Sequence, residues 1–334
     1  MNNSTVNRRS VLQGLSMLGG GLLGVAHAQP AKSTWPNKAI RVIVPFNAGG
    51  ATDIVARTIG EALSHRIGQP VVIDNRGGAG GVLGTDVVAK APADGYTLLF
   101  STSTPMLVNQ FLYTKLPYNL QKDIELISQI AGTPLALVTH PSVPVKNMKE
   151  LLAYVKANKG KLSYGSWGVG SYAHLGGSHM SMAMDADMVH SAYKGEAPMI
   201  QDLIGGQVQI CFSTVLNTKN FIESGRINAI GVTGKQRIPA LPNVPSIYEQ
   251  GVQDKAYALY GWLGMGAPAG LPKQVSEALG FHLSEIAKDP KVQERIKNAG
   301  LLPMINSAQE FEKNYRDELP IWKSLVETAG AKLD

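Results

Sequence analysis

Repeated strand–loop–helix units are the feature that most constrains the fold of this 334-residue chain. The β-branched, apolar segment 40–46 predicts a buried strand, and apolar residues at helical spacing follow from Val55 to Ile67. The same order recurs over 71–100 and again over 135–204. Such repetition favours an α/β fold in which mostly parallel sheets are covered by helices.

The end of the chain predicts how the domains are organised. Helices predicted over 273–287, 290–298 and 308–329 have no sheet of their own and must pack on an earlier one. We therefore predict two domains with a discontinuous first domain, 29–132 plus 258–334, and a second domain, 133–257. The chain would pass between the two domains twice, and these two connections would form a hinge.

Residues 1–28 have the pattern of an export signal. Arg8 and Arg9 precede an apolar stretch over 11–25, and the small residues that follow fit cleavage after Ala28. The arginine pair resembles a twin-arginine motif, and an ordinary Sec signal is the alternative. The mature chain is expected to start at Gln29 and to lie outside the cytoplasm, which is the periplasm if the resemblance described below holds.

Charge and cysteine content exclude several classes of protein. Removal of the signal takes two arginines and no acid, which lowers the formal net charge from +6 to +4. The remaining basic residues are scattered, which argues against nucleic-acid binding but suits a small anionic ligand. The single cysteine, Cys211, excludes a disulfide framework or multi-cysteine metal site, and we expect it to be a buried thiol. No metal or cofactor is predicted.

Two glycine-containing loops are candidates for an anion site. Segments 46–53 and 166–174 each follow a predicted strand and precede a predicted helix, where α/β sheets bind ligands. A helix N-terminus offers unpaired N–H groups to an anion. Thr52 or Asp53 is expected to cap the first helix. The alternative is that both loops are ordinary capped turns.

Enzymatic alternatives have weaker support. Segment 78–84 fits G-x-G-x-x-x-G, a relative of the dinucleotide-binding fingerprint. The acid that would bind the ribose of such a cofactor has one candidate, Asp94, which lies in a turn. A tight turn between strand and helix is therefore favoured over cofactor binding. An exported α/β hydrolase that uses Ser166 or Ser171 with a histidine remains an alternative, although G-x-S-x-G is absent. His174 and His179 are five residues apart and do not match i,i+4 metal ligands.

Motifs along nearly the whole mature chain occur in a characteristic order. They are Trp35-Pro36, 40–45, 46–53 with Ala56-Arg57, 74–76 with 78–81 and Gly84, 94–98, 168–175, 193–195, 202–203 with 205–206, 242–249, Trp262 and 267–268. In this order the chain resembles the solute-binding proteins of tripartite tricarboxylate transporters, the Bug family.

The resemblance implies a flytrap in which two α/β domains close on a small carboxylate and deliver it to a membrane permease. It implies that loop 46–53 reaches the ligand partly through water, and that loop 166–174 holds a carboxylate with backbone N–H groups and Ser171. A monomer is expected, and a ligand-sensing role is an alternative to transport. The predicted ligand-binding residues are Phe46, Asn47, Ala48, Gly49, Gly50, Thr52, Asp53, Ser101, Thr102, Ser103, Ser166, Trp167, Gly168, Gly170, Ser171, Tyr172, His174, Tyr193, Gly195, Ser213 and Thr214.

One departure from the resembling family bears on the ligand. Many relatives have Asp-Asn where this chain has Ser213-Thr214, so an acidic contact for an amino group is expected to be missing. Plain di- or tricarboxylates are therefore favoured over amino acids. Trp167, Tyr172 and Phe46 would offer aromatic surface to a ring, as in a terephthalate-like diacid.

Overall fold

The computed structural model describes Met1 and residues 35–333. The predicted export signal and its cleavage position lie outside the described residues, apart from Met1. Within the described part, no helix is long and apolar enough to cross a membrane.

The described strands form two sheets. In chain order they are β1 (Ile40–Val44), β2 (Val71–Asn75), β3 (Thr97–Thr102), β4 (Ile124–Thr133), β5 (Leu135–Thr139), β6 (Ser163–Ser166), β7 (Val189–Ala192), β8 (Ile210–Thr214), β9 (Asn228–Val232), β10 (Gly261–Pro268) and β11 (Leu302–Pro303). Among residues 35–333, the first sheet has six strands in the order β11-β4-β10-β3-β1-β2, and the second has five in the order β7-β6-β8-β5-β9.

Most strands of each sheet share one direction. β1 pairs in parallel with β2 and β3, and β10 lies antiparallel between β3 and β4. In the second sheet β6 pairs in parallel with β7 and β8, while β5 lies antiparallel between β8 and β9. The mostly parallel sheets predicted from the sequence are thus present. The reversed strands are β5 and β10, which each follow a crossing between the sheets, and the two-residue β11.

Helices cover both faces of both sheets. In chain order the described α-helices are α1 (Ala51–Ile67), α2 (Val82–Ala89), α3 (Asn109–Leu112), α4 (Leu120–Asp123), α5 (Met148–Ala157), α6 (Tyr172–Ala183), α7 (Glu196–Ile204), α8 (Val215–Glu223), α9 (Lys255–Ala258), α10 (Lys273–Ile286), α11 (Pro290–Asn298) and α12 (Ala308–Ala329). A 3₁₀ turn over 79–81 precedes α2, and a π-helical turn over 104–108 precedes α3.

The apolar core explains why the late helices return to the first sheet. Helices α1, α10 and α11 bury their apolar stripes on one face of that sheet. Helix α12 contributes Phe311, Trp322 and Leu325 to a core that runs from the other face of the first sheet to α6 on the second. The remaining face of the second sheet is covered by α7 and α8 around the buried Cys211, which confirms the predicted burial of that thiol.

Some elements differ from the sequence prediction. β3 extends to Thr102 rather than ending at Phe100, and α7 begins at Glu196 rather than Met199. β4 and α8 were not predicted. Polar Glu125, Ser128 and Gln129 hide the apolar pattern of β4 in the sequence, yet Ser128 and Gln129 are buried through bonds to the 306 region.

Candidate ligand-binding site

Three strand-to-helix junctions meet at one edge of the second sheet. β7, β6 and β8 are parallel neighbours, so their carboxyl ends lie side by side and α7, α6 and α8 begin there. The backbone N–H of Tyr193, after β7, donates to the carbonyl of Ser166 at the end of β6 over 2.9 Å. This edge therefore brings together the predicted residues that follow each strand: Ser166–His174, Tyr193–Gly195 and Ser213–Thr214.

The loop between β6 and α6 is a turn that bonds to itself. Ser171 is the N-cap of α6: its Oγ accepts from the N–H of His174 at 3.3 Å and donates to the carbonyl of Gly168 at 2.6 Å. Gly170 has φ +79°, and an added Cβ would lie 2.4 Å from Leu112 Cδ1. A left-handed glycine in close contact with α3 is therefore required to present this helix N-terminus at the sheet edge.

A stack of neutral aromatic rings supports the same loop. His174 Nδ1 accepts from the N–H of Gly170 at 3.1 Å, which leaves the proton of the neutral ring on Nε2. The ring stacks on His190 with centroids 4.0 Å apart, and His190 stacks on Tyr164 at 5.0 Å. Burial, with a smaller contribution from His190, lowers the pKa of His174 to about 4, and burial also lowers the pKa of His190. Both rings are therefore neutral near pH 7.

The same stack includes the serine considered for hydrolysis. Ser166 Oγ lies 2.7 Å from His190 Nε2 and is fully buried. Among residues 35–333, neither His174 nor His190 bonds to a carboxylate, which a catalytic triad requires to orient its histidine. In the same part of the chain, no group of three or more His, Cys, Asp and Glu is arranged to hold a metal.

The aromatic surface expected from Tyr172 is absent. Tyr172 is 6% exposed, and its ring meets Phe212 and Trp322 edge-on. Its hydroxyl donates to the carbonyl of Ala256 at 2.7 Å. The ring lies in the core because α6 directs its first residue toward α12. Trp167 and Phe46 are partly buried against the apolar cores.

Capping of α1 by Thr52 or Asp53 was predicted wrongly. Gly50 is the N-cap, and no side chain of the described residues caps this end. Asp53, 4% exposed, instead accepts from the N–H of Gly49 at 2.9 Å and from Asn75 Nδ2 at 3.1 Å. Arg57 bonds the same carboxylate at 3.0–3.1 Å. In the described structure Asp53 thus holds the backbone of the loop after β1.

The charge of Asp53 is maintained by these donors. Burial opposes ionisation, but hydrogen bonds from Arg57, the Gly49 N–H and Asn75 outweigh it and lower the pKa of the carboxyl. Asn75 Nδ2 also donates to the carbonyl of Phe46 at 3.1 Å, which ties the loop to β2. Asn47, Ala48, Gly49, Gly50 and Thr52 belong to the same tethered segment.

Asp53→Asn is expected to loosen this loop. The neutral side chain loses its ionic contact with Arg57 and weakens the Gly49 contact, at a cost of about 1–2 kcal/mol of unfolding free energy at pH 7. Because the folded pKa is depressed, the difference from wild type should persist down to about pH 3.8 and disappear as pH falls through the folded pKa. Urea unfolding across this pH range measures the difference in unfolding free energy, and the exposed Asp317→Asn is the control. Equal losses of unfolding free energy in the two variants would contradict the role assigned to Asp53.

The remaining predicted residues occupy the ends of β3 and β8. Ser101 and Thr102 complete β3, and Ser103 opens the helical segment that leads to α3. Ser101 and Ser213 are fully buried, and neither hydroxyl has a hydrogen-bond partner among the described residues.

The sequence reasoning assigned no acidic contact to Glu196. It expected no acid beside Ser213-Thr214, but Glu196 accepts from the N–H of Thr214 at 3.1 Å and from its hydroxyl at 2.6 Å. Asn217 Nδ2 also donates to this carboxylate. An acid directly after Gly195, in the first turn of a helix, was the available signal. Linking it to Thr214 required knowing that β7 and β8 flank β6.

Solved structures of periplasmic binding proteins share this fold. BugD is 35% identical, with 89% of this chain and 99% of that chain covered and a TM-score of 0.73. An R. palustris protein solved with adipate is 32% identical, with 89% and 99% covered and a TM-score of 0.77. MatC from Rhodopseudomonas palustris, solved with bound malate, is 27% identical, with 87% and 100% covered and a TM-score of 0.73. The two-sheet fold is thus that of a periplasmic solute-binding protein.

Sequence comparison identifies the family. The profile described as "Tripartite tricarboxylate transporter family receptor" (TctC) matches residues 55–331. BugT of Bordetella pertussis (strain Tohama I) is 34% identical over 311 residues, which cover 93% of this chain and 94% of BugT. This chain belongs to the tripartite tricarboxylate transporter receptor family, and the resemblance stated from the sequence is confirmed.

Proposed function

We propose that this periplasmic solute-binding protein captures a small dicarboxylate between its two sheets and delivers it to the membrane subunits of a tripartite transporter. The observation that carries the proposal is the turn over 166–171, which presents the N-terminus of α6 at an edge of the second sheet. The adipate and malate in the two related structures support the carboxylate class.

Binding of this kind needs no bond-breaking chemistry. Backbone N–H groups and hydroxyls that meet carboxylate oxygens contribute about 1.5–3 kcal/mol for each charge-assisted hydrogen bond. Closure of two lobes excludes water and strengthens these contacts. We assign the lobes to 29–132 plus 258–334 and to 133–257, an assignment supported by the first sheet drawing its strands from 40–133 and 261–303.

Aliphatic diacids fit the site better than aromatic ones. The ring of Tyr172 is in one apolar core, Trp167 packs partly against that core and Phe46 partly against the other, so little free aromatic surface remains for a terephthalate-like ring. A thermal-shift and calorimetric screen of mono-, di- and tricarboxylates, aliphatic and aromatic, tests the proposal. Absence of binding by every compound would overturn it, and turnover of an ester panel would favour the hydrolase alternative.

Export and assembly complete the proposal. We assign residues 1–28 as a cleaved signal of the twin-arginine type, with the mature protein acting as a monomer. The mass of the protein recovered from the periplasm tests cleavage after Ala28, and its dependence on the twin-arginine or Sec machinery identifies the route. Light scattering tests the monomer, and uptake that requires the permease subunits separates transport from sensing.

Ser171→Ala is expected to reduce carboxylate affinity about tenfold, a loss of about 1.4 kcal/mol. The variant removes one of three donors to the carbonyl of Gly168 and the side-chain acceptor of the His174 N–H, so the loop loses part of the alignment of its donors. Loss of the N-cap should also cost about 1 kcal/mol of stability.

The matched control is Ser307→Ala, which removes the N-cap of α12. It should lower stability to a similar extent while leaving affinity unchanged. Equal affinities for the two variants would show that the Ser171 turn does not hold the ligand. Calorimetry measures both the affinity and the stability of each variant.

A further inference from the structure

Glu196 occupies an unusual position for an acidic side chain in a site built for anions. It is the first residue of α7, which follows β7, yet its carboxylate bonds to Thr214 at the end of β8. β6 lies between these strands, so their ends are about 10 Å apart. The side chain must therefore reach across the carboxyl end of β6, where the 166–171 turn begins.

The carboxylate is held in one orientation and keeps capacity for one more donor. Oε2 accepts from the hydroxyl of Thr214 and from Asn217 Nδ2, whereas Oε1 accepts, among the described residues, from the N–H of Thr214 alone. A carboxylate has about four lone-pair sites, so one acceptor site on Oε1 remains. Asn217 also bonds to the hydroxyl of Thr214 at 3.0 Å, which fixes this donor set.

The turns before α6 and α7 border open space. A Cβ added to Gly168 or Gly195 would have no heavy atom within 4 Å, so the turns before α6 and α7 border unfilled volume. Glu196 itself is half-buried. A ligand whose carboxylate meets the N-terminus of α6 would therefore place its neighbouring substituent beside Glu196.

We propose that Glu196 is the specificity-determining residue of the site: it selects carboxylates that carry a hydrogen-bond donor, ammonium or hydroxyl, on the carbon next to the carboxylate held at α6. This inference rests on the proposed function and narrows its ligand class. A donor satisfies the free site on Oε1, and an ammonium adds charge attraction. A second carboxylate in that position would meet like charge, so the other carboxylate of a diacid must point toward the loop after β1.

Matched ligands test the proposal on the unaltered protein. Succinate, malate and aspartate share one carbon skeleton and differ at C2 by hydrogen, hydroxyl and ammonium; adipate and 2-aminoadipate extend the comparison to six carbons. By calorimetry, the amino compound should bind at least tenfold more tightly than its unsubstituted parent, with the hydroxy compound between them. Equal affinities within each series, or tighter binding of the parents, would overturn the inference.

Glu196→Gln tests the residue itself. The neutral amide should weaken binding of the amino compounds at least tenfold while the parent diacids bind equally or more tightly. Glu223→Gln, which removes the same charge at the exposed far end of α8, should keep the wild-type ranking. A change in melting temperature with an unchanged ranking would make Glu196 a structural residue only and overturn the inference. Failure of every carboxylate to bind wild type would instead overturn the proposed function.

Discussion

Gly177→Ala is expected to lower the unfolding free energy by about 2–3 kcal/mol, although the same change inside a helix normally stabilises by about 1 kcal/mol. Gly177 lies in α6, and an added Cβ would sit 2.2 Å from Cδ2 and 2.5 Å from Cε2 of Tyr164. The ring cannot retreat freely because it stacks on His190, which in turn stacks on His174. The strain therefore passes to the site loop, and carboxylate affinity should fall as well.

The control for this prediction is Gly280→Ala in α10. No heavy atom lies within 4 Å of the Cβ that would be added there, so this variant should gain about 0.5–1 kcal/mol. Urea unfolding of both variants at pH 7 measures the difference. A gain in both variants would show that Tyr164 yields without cost and that the ring stack is not rigid.

Acidification is expected to remove about 3 kcal/mol of stability through His174 alone. Burial lowers the pKa of this imidazole from 6.5 to about 4 in the folded protein, and each pKa unit corresponds to about 1.4 kcal/mol. Because the folded pKa is depressed, the unfolded chain takes up the proton first as pH falls. The contribution is therefore complete above pH 6.5 and is lost progressively between pH 6.5 and 4.

Comparison of variants isolates this histidine from the carboxyl groups that titrate nearby. His174→Asn should be less stable than wild type at pH 7, because the ring stack is lost, and should lose less stability between pH 6.5 and 4. His65→Asn, at an exposed position of α1, should retain the wild-type slope. Parallel slopes for wild type and His174→Asn in denaturation at stepped pH would contradict the assignment.

The protonation of this stack also bears on the ligand. Neutral His174 and His190 keep the loop before α6 in its self-bonded form, in which Gly170 donates to His174 Nδ1. Protonation of Nδ1 would remove that acceptor and place a charged ring against the ring of His190. We therefore expect carboxylate affinity to fall over the same pH range in which His174 takes up its proton.

Local sequence patterns determined much of the fold. The predicted bounds of α11 and α12, 290–298 and 308–329, agree with the structure because apolar stripes of period 3.6 are local signals. The turns at 46–53 and 166–174 were recognisable for the same reason: glycine and hydroxyl residues stand between strand and helix patterns. The order of these segments was also sufficient to recognise the family.

Only the tertiary structure decided what the site's side chains do. Asp53 looked like a helix cap but bonds to Gly49, Arg57 and Asn75, and the last of these comes from a neighbouring strand. Tyr172 looked like ligand surface but lies in the core because α12 packs on α6. Periodicity is a property of consecutive residues, whereas these contacts depend on which strands and helices are neighbours.

Glu196 shows this division most clearly. The sequence determined that an acid begins a helix after a glycine turn, and that no acid stands at 213–214. That the two positions meet follows from the strand order β7-β6-β8, which brings residues 18 apart in the chain into hydrogen-bond contact. A hydrogen bond acts over about 3 Å of space regardless of separation along the chain, so the charge beside Thr214 was set by the topology of the sheet.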